Sequence, residues 1–216
     1  MARLLILLFI CTSFFFVCSV NAEKSRYSIT STYQKLIKKF PHITVPDLQL
    51  PENVILTEGI PYKKLSNREL VLDVYLNSTV KKSQPLIMLI HGGGWGRGQP
   101  SLMRPLAIGL AQQGYIVATP SYRLSGEAIF PAAFYDLVDA LLWLKKHRKK
   151  YNIDEDQIIL AGSSAGGQLA MLTGLTNNIE AKEGKQGNLG FSSNIQAIID
   201  IDGVDVGTYV EAAQKV

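Results

Sequence analysis

The chain has 216 residues, of which 47% are hydrophobic and 19% charged, with 18 glycines and 9 prolines. This composition is typical of a globular domain and excludes a disordered chain, a collagen and a coiled coil. The length predicts a single domain, since domains commonly hold about 100–200 residues. The net charge of +4 is small and scattered along the chain, so no nucleic-acid partner is predicted.

Residues 1–22 have the pattern of a secretory signal peptide. Arg3 is followed by an uncharged, apolar stretch, and Val20-Asn21-Ala22 provides the small residues of a signal-peptidase site. We therefore predict a secreted or periplasmic protein whose mature chain begins at Glu23 and has no stable membrane partner. An uncleaved anchor is the alternative, because the stretch is close to the ~20 residues that a membrane helix needs.

Both cysteines of the chain lie within this predicted leader, at Cys11 and Cys18. Cleavage would leave the mature chain without a thiol, which excludes a disulfide, a thiolate metal site and a cysteine nucleophile. The hydrophobic core would then have to supply the stability of an exported domain by itself.

Two further segments are the N-terminal stretch before the main domain and a basic run within that domain. Residues 23–51 are predicted to form an N-terminal arm on the domain at 52–216, with a short helix from Thr32 to Phe40 that ends before a proline. The dense basic run Lys145–Lys150 is expected to be a solvated helix end, where cations complement the helix dipole.

The main domain alternates between apolar strands and helices. Strands are predicted at Val54–Pro61, Leu70–Leu76, Pro85–Ile90, Tyr115–Pro120, Ile158–Ala161 and Ile195–Ile201. The third strand is apolar without alternation, as expected where both faces of a parallel sheet are covered. Helical spacing is present in two sets of residues, Leu102, Leu106 and Leu110, and Phe134, Leu137, Val138, Leu141 and Leu142. The sequence therefore predicts an α/β fold, a mostly parallel sheet between helices, with the first two strands as an antiparallel pair.

A glycine-rich turn after the fifth predicted strand carries Ser164 at the centre of a G-x-S-x-G pattern. A strand before the turn and the helical pattern Gln168–Leu172 after it are what a nucleophile elbow requires. A serine on so tight a turn adopts strained dihedral angles, and neighbouring segments approach it only if the flanking positions lack side chains. Ser164 is therefore predicted to be an exposed nucleophile.

A second glycine-rich turn, His91-Gly92-Gly93-Gly94-Trp95, follows the third predicted strand. Side-chain-free backbone can point N–H groups at a carbonyl oxygen that gains negative charge during acyl transfer. We predict Gly93, Gly94 and Ala165 as the oxyanion-hole donors, with His91 and Gly92 as support for the loop. A phosphate-binding turn is the alternative, but neither of the common glycine motifs for phosphate is present. Trp95 is expected either to line an acyl pocket or to pack beneath the loop.

HGGGW, the stretch Pro120–Leu124 and Asn152-Ile153-Asp154 ahead of GSSAGG together resemble α/β-hydrolase-fold esterases of the hormone-sensitive-lipase-like type. The bifunctional feruloyl and acetyl-xylan esterases are similar in particular, and the resemblance covers about Val54 to Gly203. The sequence departs at Glu155, where that family commonly has proline. The resemblance implies hydrolysis of a small-molecule or carbohydrate ester with an acetyl, feruloyl or short acyl group, through an acyl-enzyme on Ser164. It implies neither a metal nor a cofactor.

A serine hydrolase also needs a general base, and in this fold the chain order is Ser, then Asp or Glu, then His. None of the three histidines follows Ser164. His91 is expected to brace the oxyanion loop, His147 to be solvated, and His42 to lie in the arm. We therefore expect the catalytic histidine and the acid, with the last strands and helices of the fold, to lie beyond Val216.

Without that base, the 216-residue chain is expected to be a poor catalyst, and the outer edge of its last predicted strand is expected to favour association. Asp202 and Asp205, which follow that strand, are interpreted as turn residues, with a triad acid as the alternative. Two other functions stay open: a non-catalytic binding module of the same fold, and a peptidase, since elbow chemistry is shared among acyl transfers.

Overall fold

A computed structural model of the chain describes residues 28–176 and 193–203. The predicted leader, both cysteines and Asp205 lie outside these ranges. The strands are β1 (Val54–Lys64), β2 (Glu69–Asn77), β3 (Gln84–Ile90), β4 (Ile116–Pro120), β5 (Ile153–Ser163) and β6 (Ala197–Ile201). The helices are α1 (Ile29–Leu36), α2 (Arg104–Gln112), α3 (Ala132–Lys146), α4 (Arg148–Tyr151) and α5 (Ala165–Leu175), with a 3₁₀ helix at Pro100–Met103.

The six strands form one sheet in the order β1-β2-β4-β3-β5-β6. β1 pairs with β2 and β2 with β4 in antiparallel fashion, whereas β3 is parallel to β4 and β5, and β6 is parallel to β5. This arrangement confirms the predicted α/β class, the mostly parallel sheet and the antiparallel pair at its start.

Helices cover both faces of the sheet. Leu137 and Leu141 of α3 and Leu169 of α5 are buried in the larger core, on one face. Ala107 and Ala111 of α2 are buried in a second core on the other face. The continuous apolar run of β3 is explained by this double cover, because alternate residues of β3 contribute to the two cores.

β5 begins five residues earlier than the sequence predicts, at Ile153 rather than Ile158. In the pairing with β3, Pro85 lies opposite Asp154 but the next residue, Leu86, lies opposite Ile158. The polar residues between these two pairs therefore form an irregularity in the strand, which hides its start from a search for apolar runs. Glu155 lies in this irregularity and its carboxylate pairs with Arg148 over 2.8 Å.

α1 starts and ends earlier than the predicted helix from Thr32 to Phe40. Ser28 and Ser31 form a reciprocal cap, in which the Ser31 N–H donates to the Ser28 hydroxyl oxygen and the Ser28 N–H donates to the Ser31 hydroxyl oxygen. Such a cap satisfies backbone donors at the helix N-terminus, and here it fixes the start of α1.

The interpretation of the basic run at residues 145–150 as a solvated helix end is wrong for Lys145, whereas His147 is half-buried. Lys145 is only 6% exposed, and its ammonium group donates to the carbonyl oxygen of Asn194. His147 stacks on Trp143 with the ring centroids 3.9 Å apart. The run is also divided between two helices, because α3 ends at Lys146 and α4 begins at Arg148.

Ion pairs between charged side chains connect β1 to α3, and α3 to the segment after β4. The Lys63 ammonium lies 2.7 Å from the Asp136 carboxylate and 2.6 Å from that of Asp139. The Arg123 guanidinium donates to both carboxylate oxygens of Asp136, each over 2.8 Å. Because Asp136 is completely buried, these bonds supply the partners that a buried carboxylate requires.

Within residues 28–176 and 193–203, no helix has both the length and the apolar character needed to cross a membrane. The same part of the chain contains no group of three or more histidine, cysteine, aspartate or glutamate side chains placed to bind a metal ion.

Candidate active site

The two glycine-rich turns lie side by side because β3 and β5 are parallel neighbours. Ile90, the last residue of β3, lies opposite Gly162 near the end of β5. The chain therefore leaves both strands at the same edge of the sheet, one strand running into the turn at 91–95 and the other into Ser164. In open α/β sheets, ligands bind at this carboxyl edge.

Ser164 has the strained backbone that the sequence predicts for an elbow. Its φ is 54° and its ψ is −121°, a combination that is rare for a residue with a side chain, and the residue is exposed. A Cβ atom on Gly162 would overlap the carbonyl group of Gly166, and one on Gly166 would lie 2.6 Å from the carbonyl oxygen of His91. Both flanking positions therefore require glycine for steric reasons.

Neighbouring backbone holds the elbow in place. The Ser164 N–H donates to the carbonyl oxygen of Ile201 at the end of β6 over 2.9 Å, and the Ser164 carbonyl oxygen accepts from the Gln168 N–H over 3.1 Å. Ser164 is the N-cap of α5, so Ala165 is its first helical residue. The first N–H groups of a helix point out of its positive end, where they favour negative charge.

The glycine turn is packed directly against the elbow. A Cβ atom on Gly92 would lie 2.6 Å from the Ser163 carbonyl oxygen and 3.3 Å from the Ser164 Cβ atom. Gly93 and Gly94 both have positive φ, at 129° and 60°. Since these values are unfavourable for residues with side chains, the close approach and the path of the loop both depend on glycine.

His91 fixes the direction of the peptide groups in this turn. Its ring is almost completely buried, and Nδ1 lies 2.8 Å from the carbonyl oxygen of Gly92. A carbonyl oxygen can only accept, so Nδ1 carries the proton in this contact. Because the C=O and the following N–H of a trans peptide point in opposite directions, the Gly93 N–H points away from the His91 ring.

The electrostatics of His91 suit a structural role rather than proton transfer. Burial lowers the pKa of His91 from 6.5 to about 4, and the bond to the Gly92 carbonyl oxygen opposes this shift only in part. The ring is therefore neutral at pH 7. Gly98 closes over it, since a Cβ atom there would lie 2.5 Å from His91 Nδ1.

Tyr122 and Gln168 are parts of the site that the sequence analysis did not identify. Tyr122 stacks on His91 with the ring centroids 4.4 Å apart, and its hydroxyl donates to the His91 carbonyl oxygen over 2.8 Å. Its position just after β4, a parallel neighbour of β3, is the signal that could have identified it. Gln168 accepts a hydrogen bond from the Trp95 indole N–H over 3.2 Å.

Trp95 is placed in a way that combines the two expectations for it. The side chain packs against the larger core and also lines a small cavity of about 80 Å³, together with Arg123, Phe130 and Leu169. It is thus packed beneath the loop on one side and borders open space on the other.

A larger cavity of about 350 Å³ lies next to the elbow. Gly92 and Ser163 contribute to its wall, and so do Leu102 and Met103 of the 3₁₀ helix and Pro105 at the start of α2. The remaining wall comes from the N-terminal arm, through residues of α1 and of the segment Ile43–Pro46. The predicted arm thus lies beside the two turns, although His42 itself is exposed and is not part of the cavity wall.

Comparison with known proteins assigns most of the chain to a family. The family model BD-FAE matches residues 72–214, which include both glycine-rich turns. The match begins within β2, so α1 and the segment Ile43–Pro46 lie outside it.

Several individual relatives are named as esterases. The chain is 38% identical over 95 residues to the probable carboxylic ester hydrolase LipM of Mycobacterium tuberculosis, covering 44% of this chain and 22% of LipM. A structure of Thermogutta terrifontis esterase 2 phosphorylated by paraoxon is similar with a TM-score of 0.61 and 25% identity, covering 71% of this chain and 58% of that one. A truncated carbohydrate esterase from gut microbiota is similar with a TM-score of 0.62 and 27% identity, covering 70% and 58%. The chain thus spans less than two thirds of the length of each of these proteins.

Proposed function

Because the chain belongs to the BD-FAE family, in the α/β-hydrolase fold, we propose that it is the nucleophile-bearing part of a serine esterase that cleaves carboxylic esters at Ser164. The observation that carries this proposal is the strained, exposed Ser164, which lies so close to the glycine turn that a Cβ atom on Gly92 would be 3.3 Å from the Ser164 Cβ atom. No ordinary turn requires a serine at positive φ between two glycines that cannot bear side chains.

In the proposed reaction the Ser164 Oγ atom attacks the carbonyl carbon of the ester and forms a C–O bond. The carbonyl π electrons move to the oxygen, and the resulting oxyanion accepts hydrogen bonds from the N–H groups of Gly93, Gly94 and Ala165. Collapse of this intermediate breaks the bond to the alcohol, which leaves with the proton that Ser164 lost. Water then hydrolyses the acyl-serine by the same steps and releases the carboxylic acid.

The base that takes the Ser164 proton is proposed to be a histidine beyond Val216. His91 is a poor candidate, because its ring is buried, has a pKa of about 4 and donates from Nδ1 to the Gly92 carbonyl oxygen. His147 stacks on Trp143 at the end of α3, and its Nδ1 lies 2.8 Å from the Trp143 carbonyl oxygen. His42 lies in the arm near the cavity, but its side chain is exposed.

The substrate is proposed to be a small-molecule or carbohydrate ester with an acetyl, feruloyl or other short acyl group. The similarity to a carbohydrate esterase from gut microbiota and the family match support this class. A secreted or periplasmic location, proposed from the pattern of residues 1–22, would place the enzyme where polymeric carbohydrate esters are accessible.

Hydrolysis of p-nitrophenyl acetate by the chain and by three variants tests the proposal. We expect slow hydrolysis that Ser164→Ala abolishes and that Ser83→Ala leaves unchanged, because Ser83 precedes β3 whereas the glycine turn follows it. His42→Gln should not lower the rate if the base lies beyond Val216. A well-folded chain whose residual hydrolysis is the same with and without Ser164 would instead support the non-catalytic binding module.

A further inference from the structure

Gln168 is a buried polar side chain on α5 that takes no part in the proposed reaction. It is only 3% exposed, whereas the residues that follow it, Leu169 and Ala170, are apolar members of the larger core. Removal of a side-chain amide from water is unfavourable unless the amide forms hydrogen bonds in the folded protein. The burial of Gln168 is therefore explained only by the partner that its side chain finds.

Gln168 contacts both glycine-rich turns. Its backbone N–H donates to the Ser164 carbonyl oxygen over 3.1 Å, which places it one helical turn after the elbow. Its side-chain oxygen accepts from the Trp95 indole N–H over 3.2 Å. Side chains on a helix lean towards the N-terminus of that helix, which directs the Gln168 amide towards the elbow and the glycine turn. One residue thus bridges the two segments that the proposed reaction brings together.

Trp95, at the end of the glycine turn, has a backbone conformation that depends on its surroundings. Its φ is 57°, in the left-handed region, which makes it an outlier for a bulky residue. Such a conformation persists only where neighbouring contacts hold it. The Ser125 N–H donates to the Trp95 carbonyl oxygen over 2.9 Å and supports the backbone, while the bond to Gln168 fixes the indole ring. Because Gly94 directly precedes Trp95, a displacement of Trp95 would be passed on to the glycines of the turn.

We propose that Gln168 is a positioning residue, whose bond to Trp95 holds the N–H groups of Gly93 and Gly94 in place relative to Ser164. This inference rests on the proposed function, because it takes these N–H groups as oxyanion donors. The donors of the glycine turn and of α5 must converge on one oxygen atom, and a misplacement of about 1 Å can lower a rate about a hundredfold. A direct bond between the two segments limits such a misplacement.

A double-mutant cycle on the rate at which paraoxon phosphorylates Ser164 tests the proposal. Gln168→Met preserves the approximate length of the side chain and removes the amide oxygen, and Trp95→Phe removes the indole N–H. We expect each change to slow the reaction about tenfold or more. If Gln168 acts through Trp95, the variant with both changes should be no slower than the slower single variant.

Gln84→Met is the matched control for Gln168→Met. Gln84 is also buried, at 5% exposed, but it is the first residue of β3, whereas the glycine turn follows the last. The control should react with paraoxon at the rate of the unchanged chain. Chemical denaturation of both variants would measure their stabilities, and a slow reaction in both would attribute the effect to a general loss of buried hydrogen bonds and overturn the proposal.

The amide NMR signals of Gly93 and Gly94 give a second readout that does not require any reaction. Gln168→Met should shift both signals and Gln84→Met should leave them unchanged. Unshifted signals, or rate losses that simply multiply in the double variant, would overturn the role of Gln168 even if Ser164 reacts as expected. Shifted signals in a chain that paraoxon modifies at another residue, with Ser164 intact, would support the role of Gln168 in holding the turn and count against the esterase.

Discussion

The hydroxyl of Tyr122 donates to the carbonyl oxygen of His91 over 2.8 Å while the two rings stack with their centroids 4.4 Å apart. Tyr122 thereby holds both the backbone and the side chain of the residue that begins the glycine turn. The imidazole in turn donates to the Gly92 carbonyl oxygen, so a chain of contacts runs from the end of β4 to the Gly93 N–H.

Tyr122→Phe should preserve the stacking and remove only the hydrogen bond to the His91 carbonyl oxygen. Loss of one such bond lowers the free energy of unfolding by about 0.5–1.5 kcal/mol, or somewhat more because the carbonyl group is buried. Chemical denaturation would measure this loss. Phosphorylation of Ser164 by paraoxon should also be slower in the variant, and an unchanged rate would show that the Tyr122 hydroxyl does not position the turn.

His91 should make the stability of the domain depend on pH. Burial lowers the pKa of His91 to about 4, whereas the unfolded chain has the ordinary value of 6.5. Between these values the unfolded state binds more protons, so the free energy of unfolding falls as the pH is lowered from 6.5 towards 4, by at most about 1.4 kcal/mol per pH unit from this residue.

Denaturation at pH 7, 6 and 5 would measure this dependence, with His91→Gln as the comparison. The variant should be less stable at pH 7 but should lose less stability on acidification. An identical slope in the two proteins would contradict the assignment of a neutral, buried imidazole to His91.

Gly92→Ala should disrupt the contact between the glycine turn and the elbow. The new methyl group would lie 2.6 Å from the Ser163 carbonyl oxygen and 3.3 Å from the Ser164 Cβ atom, so the two segments must move apart. A displacement of this kind can lower a rate by about a hundredfold. We expect a loss of that order in the rate at which paraoxon modifies Ser164.

Gly109→Ala is the control for this change. Gly109 lies inside α2, and a Cβ atom there would meet nothing within 4 Å. Alanine should therefore raise the free energy of unfolding by about 0.5–1 kcal/mol without changing the reactivity of Ser164. If the two alanine variants affected Ser164 equally, steric contact at Gly92 would not be the cause.

Asp136→Asn should be strongly destabilising because it removes the charge that Lys63 and Arg123 share. Breaking a buried ion pair by neutralising one partner commonly costs about 3–5 kcal/mol. Glu127→Gln is the matched control, since Glu127 pairs with Arg68 at 2.7 Å but both side chains are 37% exposed. Such an exposed pair contributes less than about 1 kcal/mol. Thermal denaturation of both variants would reveal the difference, and equal losses would contradict the assigned role of Asp136.

The predicted signal peptide can be tested by determining the N-terminus of the exported protein. If residues 1–22 are a cleaved signal peptide, expression with export should yield a mature chain that starts at Glu23 and contains no cysteine. Mass spectrometry of the purified protein would determine this start. A product that retains Cys11 and Cys18 would favour the uncleaved anchor.

Much of the fold could be predicted because apolar runs follow from burial and glycine positions follow from steric requirements of the backbone. The unalternating run of β3 indicated a strand covered on both faces, and the glycines at 162 and 166 indicated a turn against which other backbone packs. The early part of β5 could not be predicted in this way, because Asp154, Glu155 and Asp156 occupy an irregular pairing in which polar residues are tolerated.

Side-chain partners across the fold were harder to predict than the turns themselves. The burial of Lys145 depends on the carbonyl group of Asn194, which is far from it in the sequence. Likewise, the sequence predicted an arm but not that Tyr33 and Leu36 would line a cavity beside Gly92. Local patterns indicate where a helix forms, whereas the surface that it faces depends on the packing of the complete domain.

The proposed nucleophile is one hydroxyl group, that of Ser164. Treatment of the chain with paraoxon, followed by peptide mass spectrometry, measures which side chain forms a bond to phosphorus as the nitrophenolate leaves. We predict a single diethylphosphoryl group on Ser164 that is absent from Ser164→Ala and retained in Ser83→Ala. A folded chain that is modified at another residue while Ser164 stays intact would contradict the assignment of Ser164 as the nucleophile.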